Sequence, residues 1–545
     1  MEILRQWDTT AALVKSPYVD FLHEPPQTLK AMVPPSLAAL PTVLEAREAF
    51  IEAQIDRHSM AQALRESHLR RGAPPSALLA IEKLRQPKTY LVVTGQQPGL
   101  LCGPLYSFYK ILQAINLARR LSRENEGTFL PAFWDAAEDH DFDEIATVQW
   151  LSKDRTLERF TWPKTLDPRR PLYAIPAAEC PVEALLDQIR QTIHATEFME
   201  PLMGEIRDAW LQSASYPDWI DRLIWMLFPE EGLIVLRPDD GYVREHAVRL
   251  LAREMAEPVK NSRLIESAGE VLQAQGLTPQ VHKRAERTAF FLIEDGARLP
   301  VFFANDHFYT DAGQEMDPEE LARCLRECPA HFSPSAVLRP VVQDAVFPVA
   351  AVVLGPGEMG YHFLLNGVYA WHGVPRPCVV PRTSLTLVEK RDFKLLEKLG
   401  LSPEDCAAHP AALVKSLTRG RETSDWMGDR NQAMGAIHAF FAVLEKQAKQ
   451  IDPTILPVLK KNQSRIVDDL MQSEDLLVRR TGEKDEMLRR QCEGLHTVFF
   501  PNENGQEREL NFFAFYLKYG PDFLHAFKTG TKSFPDGSRL SILIP

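Results

Sequence analysis

Six ionisable groups crowd into seven residues at Glu138, Asp139, His140, Asp141, Asp143 and Glu144. A histidine exchanges a proton near neutral pH, and a neighbouring carboxylate can hold its tautomer. His140, Glu138 and Asp141 are therefore the candidate catalytic set. Five carboxylates around one imidazole are expected to raise its pKa, favouring an imidazolium that donates a proton or binds an anion. Asp141 and Glu144 also offer the oxygen ligands that Mg²⁺ prefers. The plainer alternative is a solvated acidic loop with one helix-capping residue.

A second cluster is the loop Gly95-Gln96-Gln97-Pro98-Gly99, closed by Gly103. Gly95, Gly99 and Gly103 suit a loop whose backbone N–H groups bind phosphate or carboxylate at a helix N-terminus. Gln96 and Gln97 would add amide donors and acceptors for a substrate. The alternative is a tight strand-to-helix turn that needs glycines for its backbone. Neither GxGxxG nor GxxxxGK[ST] is present, so no particular nucleotide follows. Cys102 has no histidine beside it and reads as a small loop residue.

A third group is spread over Arg339, Gln343, Glu358, Tyr361 and Arg382. Arginine is the natural clamp for a carboxylate or phosphate, and Glu358 can accept an amine or hydroxyl. With Trp134 these residues complete the substrate-binding candidates; an ordinary strand-to-helix turn with surface arginines is the alternative. Cys324, Cys328 and His331 have the look of a metal site but lack the second ligand pair that a structural zinc needs.

The elements that position these groups follow from periodicity. Leu91-Val92-Val93 reads as a buried strand, and Leu105, Phe108, Leu112 and Ile115 mark one face of the helix after the glycine loop. Phe129-Leu130 with Phe133-Trp134 forms the next strand and delivers the acidic cluster at its end. Glu231–Arg237, Val346–Leu354 and Pro377–Pro381 are further strands, each followed by polar residues. A parallel sheet gathers ligands at the carboxyl ends of its strands. Thr288–Glu294 and Pro300–Phe303 form a hairpin, which an antiparallel pair makes an insertion into such a sheet.

Residues 385–500 turn helical. Ile437, Phe440, Phe441 and Leu444 mark one amphipathic helix, and Leu459, Ile466, Leu470 and Leu477 a second, linked through Asp452-Pro453-Thr454. The pair predicts an antiparallel hairpin resembling a coiled coil, with Gln463 and Ser473 as polar interruptions. Aromatic density returns in residues 501–545, which are expected to pack on the core. The expected layout is thus 1–150 and 336–384 as the two parts of an α/β core, 151–335 as inserted segments, 385–500 as the helical domain and 501–545 as a returning tail.

The 545 residues imply roughly two to four domains. A net charge of −12 argues against broad nucleic-acid binding. No run of about 18 apolar residues is present, and the first residues lack a signal-peptide pattern. Seven scattered cysteines suggest reduced thiols. A cytoplasmic protein with no membrane partner is expected.

Taken together, GQQPGLLCGPLYSFYKI (95–111), PAFWDAAEDHDFDEI (131–145), LRPVVQD (338–344), LGPGEMGY (354–361), VVPRTSLTLVE (379–389) and YLKYGPDF (516–523) resemble the bacillithiol biosynthesis cysteine-adding family, BshC. The resemblance runs in order along essentially the whole chain. It implies a Rossmann-like core with two inserted connecting segments and an antiparallel helical coiled coil, similar to the nucleotidyl-transferring core of class I aminoacyl-tRNA synthetases. It also implies a ligase that joins L-cysteine to the amino group of glucosaminyl-malate, with the carboxylate activated by ATP. His140 or Glu138 would take the ammonium proton, and Arg339 or Arg382 would bind the malate carboxylates. The family likeness further implies a nucleotide pocket, holding ATP or ADP, to which Ser384, Leu385, Thr386 and Asn511 contribute. The chain carries no HIGH or KMSKS signature. Exposed amphipathic helices seek partners, so a homodimer through the coiled coil is expected. Two other readings compete: a metal-dependent hydrolase or transferase using Asp141, Asp143 and Glu144, and a non-catalytic nucleotide- or thiol-binding protein with a coiled-coil interaction module.

Overall fold

The computed structural model describes residues 16–163, 167, 169–279, 281, 286–311, 313–484, 486–532 and 534–545. The chain divides into two compact units. Among the described residues, one comprises residues 16–386 with 507–543, and the other residues 387–506.

The first unit is built on a five-stranded sheet. Its strands are β1 (Thr89–Gln96), β2 (Thr128–Asp135), β3 (Ile234–Leu236), β4 (Val349–Leu354) and β5 (Cys378–Pro381), in the spatial order β5-β4-β1-β2-β3. All pairings are parallel. The side chains on β1, β2 and β4 are buried on both faces, as continuous apolar runs such as Val349-Ala350-Ala351-Val352-Val353 require. The order reverses at β1, which has β2 on one side and β4 on the other. That makes the carboxyl ends of β1 and β4 a topological switch point, where an open α/β sheet leaves a crevice. Helix α1 (Leu105–Glu124) follows β1 and buries Leu105, Phe108, Leu112 and Ile115, as the spacing predicts. The returning tail carries a helix over Phe512–Gly530, broken at Gly520, whose Phe512 ring stacks on Phe108 with centroids 3.6 Å apart.

Several expectations need correction. The strand read from Val346 starts only at Val349, because Arg339–Val346 is a helix, α2. Phe347 precedes Pro348 and is forced into extended geometry (φ −121°, ψ 152°), so the helix must stop there. The strand read over Glu231–Arg237 shrinks to Ile234–Leu236. The hairpin near 290 is the centre of a five-stranded antiparallel sheet. Its strands are Phe332–Pro334, Arg287–Glu294, Ala297–Ala304, His307–Thr310 and Glu315–Met316, in that spatial order. Asp295 and Gly296, at φ 49° and 78°, turn the hairpin tightly in the mirror-image geometry that matches strand twist. This sheet lies in the chain between β3 and β4, where an insertion was expected. Beyond α2, helix α3 (Pro356–His362) begins directly after β4.

Residues Ser384–Glu389 form a strand, where helix was expected from residue 385. In the second unit, helix α4 (Pro410–Ile451) and helix α5 (Leu456–Lys484) form a hairpin, followed by α6 (Glu486–Phe499). Asp452 accepts hydrogen bonds from both the N–H and the hydroxyl of Thr454 at the turn. On α4 the inward stripe is Met434, Ile437, Phe441, Leu444 and Ala448, at alternating steps of three and four; Phe440 is 61% exposed. On α5 the stripe read from sequence holds at Leu459 and at the polar seam position Gln463, and fails beyond them, where Ser473 is exposed. Gln463, Val467 and Glu474 turn inward, while Ile466, Leu470 and Leu477 are exposed. The cause is polar: Gln463 bonds His438 Nδ1 at 2.9 Å, and Glu474 pairs with Arg430 at 3.3 Å. A stripe chosen by apolarity alone cannot register such a seam.

The seam assignment separates two substitutions. Phe441→Ala is expected to lose about 3 kcal/mol of local stability, and Leu470→Ser to stay within about 0.5 kcal/mol. Hydrogen exchange over 430–480 reads both.

Candidate active site

The glycine loop is pinned by the tail of the chain. Leu101, Cys102 and Gly103 have φ of 48°, 67° and 75°, a left-handed run that needs outside support. Asn511 supplies it. Its side-chain amide donates to the carbonyls of Leu101 (2.8 Å) and Gly103 (2.6 Å), and its oxygen accepts the Phe513 N–H at 2.8 Å. A Cβ on Gly99 would lie 2.8 Å from Gly103 Cα, and one on Gly95 would lie 2.9 Å from the Trp134 carbonyl. Both glycines are there for close backbone approach. The Leu105 N–H, first in α1, donates to the Leu510 carbonyl at 2.7 Å. Gly95, Gly99, Gly103 and Asn511 thus build a tight strand-to-helix turn, in which the Gly99 N–H donates to the Gln97 carbonyl at 2.9 Å and the Gly103 N–H to the Leu100 carbonyl at 3.0 Å.

At the switch point the two strand ends are tied by a lysine that the sequence reading missed. Lys110, 1% exposed, pairs with Glu358 at 2.7 Å and also donates to the Gly95 carbonyl and to Gln96 Oε1. Glu358 in turn accepts the Gly355 N–H at 2.7 Å, at the start of α3. Burial pushes the Lys110 pKa down, and Glu358 opposes that shift. Gln96 donates to the Tyr106 hydroxyl at 3.2 Å. The available signal was a single lysine inside the apolar run Phe108-Tyr109-Lys110-Ile111-Leu112.

Beyond the end of β2 lies a cavity of about 260 Å³. Its charged lining is Glu138, Asp139, His140, Arg287, Arg298 and Arg339. Three elements contribute: the acidic loop, the antiparallel sheet and the turn into α2. Arg339 donates to the Tyr361 hydroxyl (3.2 Å) and to Gln343 Oε1 (3.5 Å), with its guanidinium carbon 5.9 Å from the centre of the Trp134 ring. Burial works against its charge, but Tyr361, Glu358 and Glu138 hold its pKa above the ordinary value. Trp134, Arg339, Gln343 and Tyr361 are therefore brought together as one group.

Within the acidic loop the roles divide. Glu138 is buried and accepts the Ser333 hydroxyl at 3.1 Å, with Arg244 3.7 Å away. Asp139 accepts the Gln97 amide at 2.7 Å and the His140 N–H at 2.8 Å. Asp141 caps the short helix Phe142–Ile145 by accepting the Glu144 N–H at 3.3 Å, so its carboxylate serves the turn. Among the described residues no three acidic, histidine or cysteine side chains gather as a metal-binding group. The expected rise of the His140 pKa is overturned. Burial and the Arg298 guanidinium, 3.1 Å from Nδ1, push it below the ordinary value and outweigh Asp139 and Asp141.

Arg382 and the residues after it lie apart from the cavity lining. Arg382 makes a two-pronged pair with Glu507, at 2.7 and 2.6 Å. Ser384 Oγ and the Leu385 N–H donate to the same carboxylate, at 3.0 and 3.4 Å. Arg382 opposes the effect of burial and holds the Glu507 carboxyl below the usual range. Thr386 is half-buried beside them. In this arrangement the binding capacity of Arg382 is spent on Glu507. Arg244, Arg287 and Arg298 were not singled out from sequence, because each lies in a segment with no motif around it.

Three guanidinium groups, an imidazole and two carboxylates around one small space suit a compact ligand that carries carboxylate or phosphate groups together with an amine.

Two family models match the chain. Residues 33–383 match the N-terminal Rossmann-like domain of bacillithiol biosynthesis BshC, and residues 385–536 its C-terminal coiled-coil domain. A Bacillus licheniformis protein named "Putative cysteine ligase BshC" is 31% identical over 489 residues, covering 88% of this chain and 89% of its own. A Salinibacter ruber protein of the same name is 29% identical over 484 residues, covering 88% of each.

The pinned loop gives a stability test. Asn511→Ala removes the two donors that hold the left-handed turn and leaves buried carbonyls unmet, so it is expected to cost about 2 kcal/mol in urea unfolding of the full chain. A loss under about 0.5 kcal/mol would show that the turn holds itself.

Proposed function

The chain belongs to the BshC family of bacillithiol biosynthesis, and from that membership we propose that it is a cysteine ligase. It joins the carboxyl group of L-cysteine to the amino group of glucosaminyl-malate. The observation that carries the reading is the cavity beyond β2. The malate moiety presents two carboxylates, and Arg287, Arg298 and Arg339 line the same space as Glu138 and Asp139. Arginine forks match carboxylates in geometry and charge. Glu138 and Asp139 suit the ammonium group, which must lose a proton before its nitrogen can attack. Asp139 is the more open of the two, with 37% of its side chain exposed.

A carboxylate is a poor acyl donor at neutral pH, so the cysteine carboxyl is activated at the expense of ATP as a co-substrate. The oxygen lost from cysteine leaves on the phosphate product as the amide C–N bond forms. The products AMP and ADP separate the two forms of activation. No helix among the described residues is long and apolar enough to cross a membrane. A homodimer through the second unit accounts for its exposed Phe440 and Leu477.

Mass spectrometry of the purified protein with cysteine, glucosaminyl-malate, ATP and Mg²⁺, omitting each in turn, tests the reading. A cysteinyl product that requires every component supports it, and absence of product under all conditions overturns it. Arg339→Lys loses the planar fork and is expected to raise KM for glucosaminyl-malate about tenfold. An unchanged KM would remove Arg339 from substrate binding.

A further inference from the structure

We propose that Arg298 fixes His140 as its neutral tautomer with the proton on Nε2, so that His140 serves the ligation as a hydrogen-bond donor and not as its base. The inference rests on the ligase reading for the words "the ligation"; the tautomer itself rests on geometry.

Arg298 has little freedom. It sits on the strand Ala297–Ala304, second after the tight turn at Asp295-Gly296. Its Nε donates to Ser333 Oγ at 2.9 Å, and Nη2 donates to the Pro334 carbonyl at 2.8 Å. Its guanidinium carbon lies 3.8 Å from the centre of the Phe291 ring. The remaining nitrogen, Nη1, is 3.1 Å from His140 Nδ1. A guanidinium has donors and no acceptor, so the contact has one direction: Arg298 donates and Nδ1 accepts. A neutral imidazole that accepts at one nitrogen carries its proton on the other. Adding a proton at Nδ1 would break this bond and set two cations against each other.

The surroundings of His140 agree. The groups facing it are Asp139 and Asp141 from its own loop, and Arg287, Phe291 and Arg298 from the antiparallel sheet. Asp139 is 3.7 Å from Nδ1, farther than Arg298, and already accepts the His140 backbone N–H. The Phe291 ring meets the imidazole edge-on, at 5.8 Å between centres. With Nδ1 occupied, the lone pair a base would use is taken, while the Nε2–H is left for the cavity that His140 lines. A neutral histidine held to one tautomer is an effective donor to an oxygen that gains negative charge, as the acyl oxygen does during amide formation. No proton transfer by His140 is required; the amine proton goes to a carboxylate of the same cavity.

Two measurements decide the matter. Long-range ¹H–¹⁵N correlation on the full chain labelled with ¹⁵N-histidine, with His140 identified by its loss in His140→Gln, reads the tautomer directly. Wild type is expected to show an unprotonated Nδ1 and a protonated Nε2, and Arg298→Met a mixture of tautomers. A protonated Nδ1 in wild type, or an unaltered pattern in Arg298→Met, overturns the lock; Arg298→Lys serves if the methionine variant does not fold. This arm needs no turnover, so it stands apart from the ligase reading, which fails if wild type makes no product. The second arm compares His140→Gln, which retains an N–H near the Nε2 position, with His140→Ala. Retention of a kcat about tenfold higher in the glutamine variant is expected for a donor. Equal loss in two folded variants overturns the donor role.

Discussion

The Lys110–Glu358 pair is the constraint on which the site depends. A parallel sheet whose order reverses leaves its two central strand ends free to diverge, and the polar loops after them need a common reference. Lys110 provides it by holding the Gly95 carbonyl and Gln96 at the end of β1 and Glu358 beyond the end of β4. Glu358 closes the arrangement by accepting the Gly355 N–H. Burying an ammonium is costly, and removing one partner of such a pair commonly costs several kcal/mol, because the other charge is stranded. The same pair thus fixes the start of α3 and, through Tyr361 on that helix, the position of Arg339.

Buried arginines extend this principle away from the switch point. Arg47 reaches from an N-terminal helix to the carbonyls of Asp344 (2.7 Å) and Phe347 (2.8 Å), securing the turn between α2 and β4. Arg71 and Arg237 share Asp221, at 2.6 and 3.2 Å, and so join a lead-in helix to the residue after β3. Arg244 donates to the Phe332 carbonyl and lies near Glu138, coupling the helix after β3 to both the antiparallel sheet and the acidic loop. A guanidinium offers five donors in a fixed plane, so one side chain can satisfy carbonyls from separate elements that no apolar residue could register. Buried ion pairs of this kind are weak evidence for stability. Their value here lies in the register they impose between an inserted sheet and the strand ends.

The parallel core was legible because its signals are local. Leu91-Val92-Val93, Phe133-Trp134 and Cys378–Pro381 are short apolar runs bounded by polar residues, and each forms a strand. Trp134 and Tyr361 lie at the carboxyl ends of β2 and β4, whereas Arg339 and Gln343 precede β4 on α2 and join them through the Tyr361 hydroxyl and the Trp134 ring. Three things stayed hidden. Lys110 looks like one charged residue in an apolar helix. Arg298 acts over 158 positions of chain on His140, and no spacing rule reaches that far. The inward place of Glu474 on α5 depends on Arg430, which lies on another helix. The five carboxylates near His140 in sequence do not raise its pKa, because burial and the Arg298 guanidinium, its close neighbour in space, outweigh them.

That last point bears on what the inserted sheet is for. A Rossmann-like core with its acidic loop alone would place His140 among carboxylates and favour the imidazolium. Burial first, and then Arg298 and Arg287 brought in by the antiparallel sheet, reverse the balance. The sheet also supplies Phe291, whose ring faces both the guanidinium and the imidazole. The core therefore contributes carboxylates suited to an amine, and the insertion contributes cations suited to an acid. A condensation of an amine with a carboxylate needs both kinds of group around one small volume, without letting them neutralise each other completely. Arg298 is held by Ser333 and Pro334, and the same Ser333 hydroxyl donates to Glu138, so a neutral group stands between that carboxylate and the guanidinium while Asp139 lies 3.8 Å from Nη1.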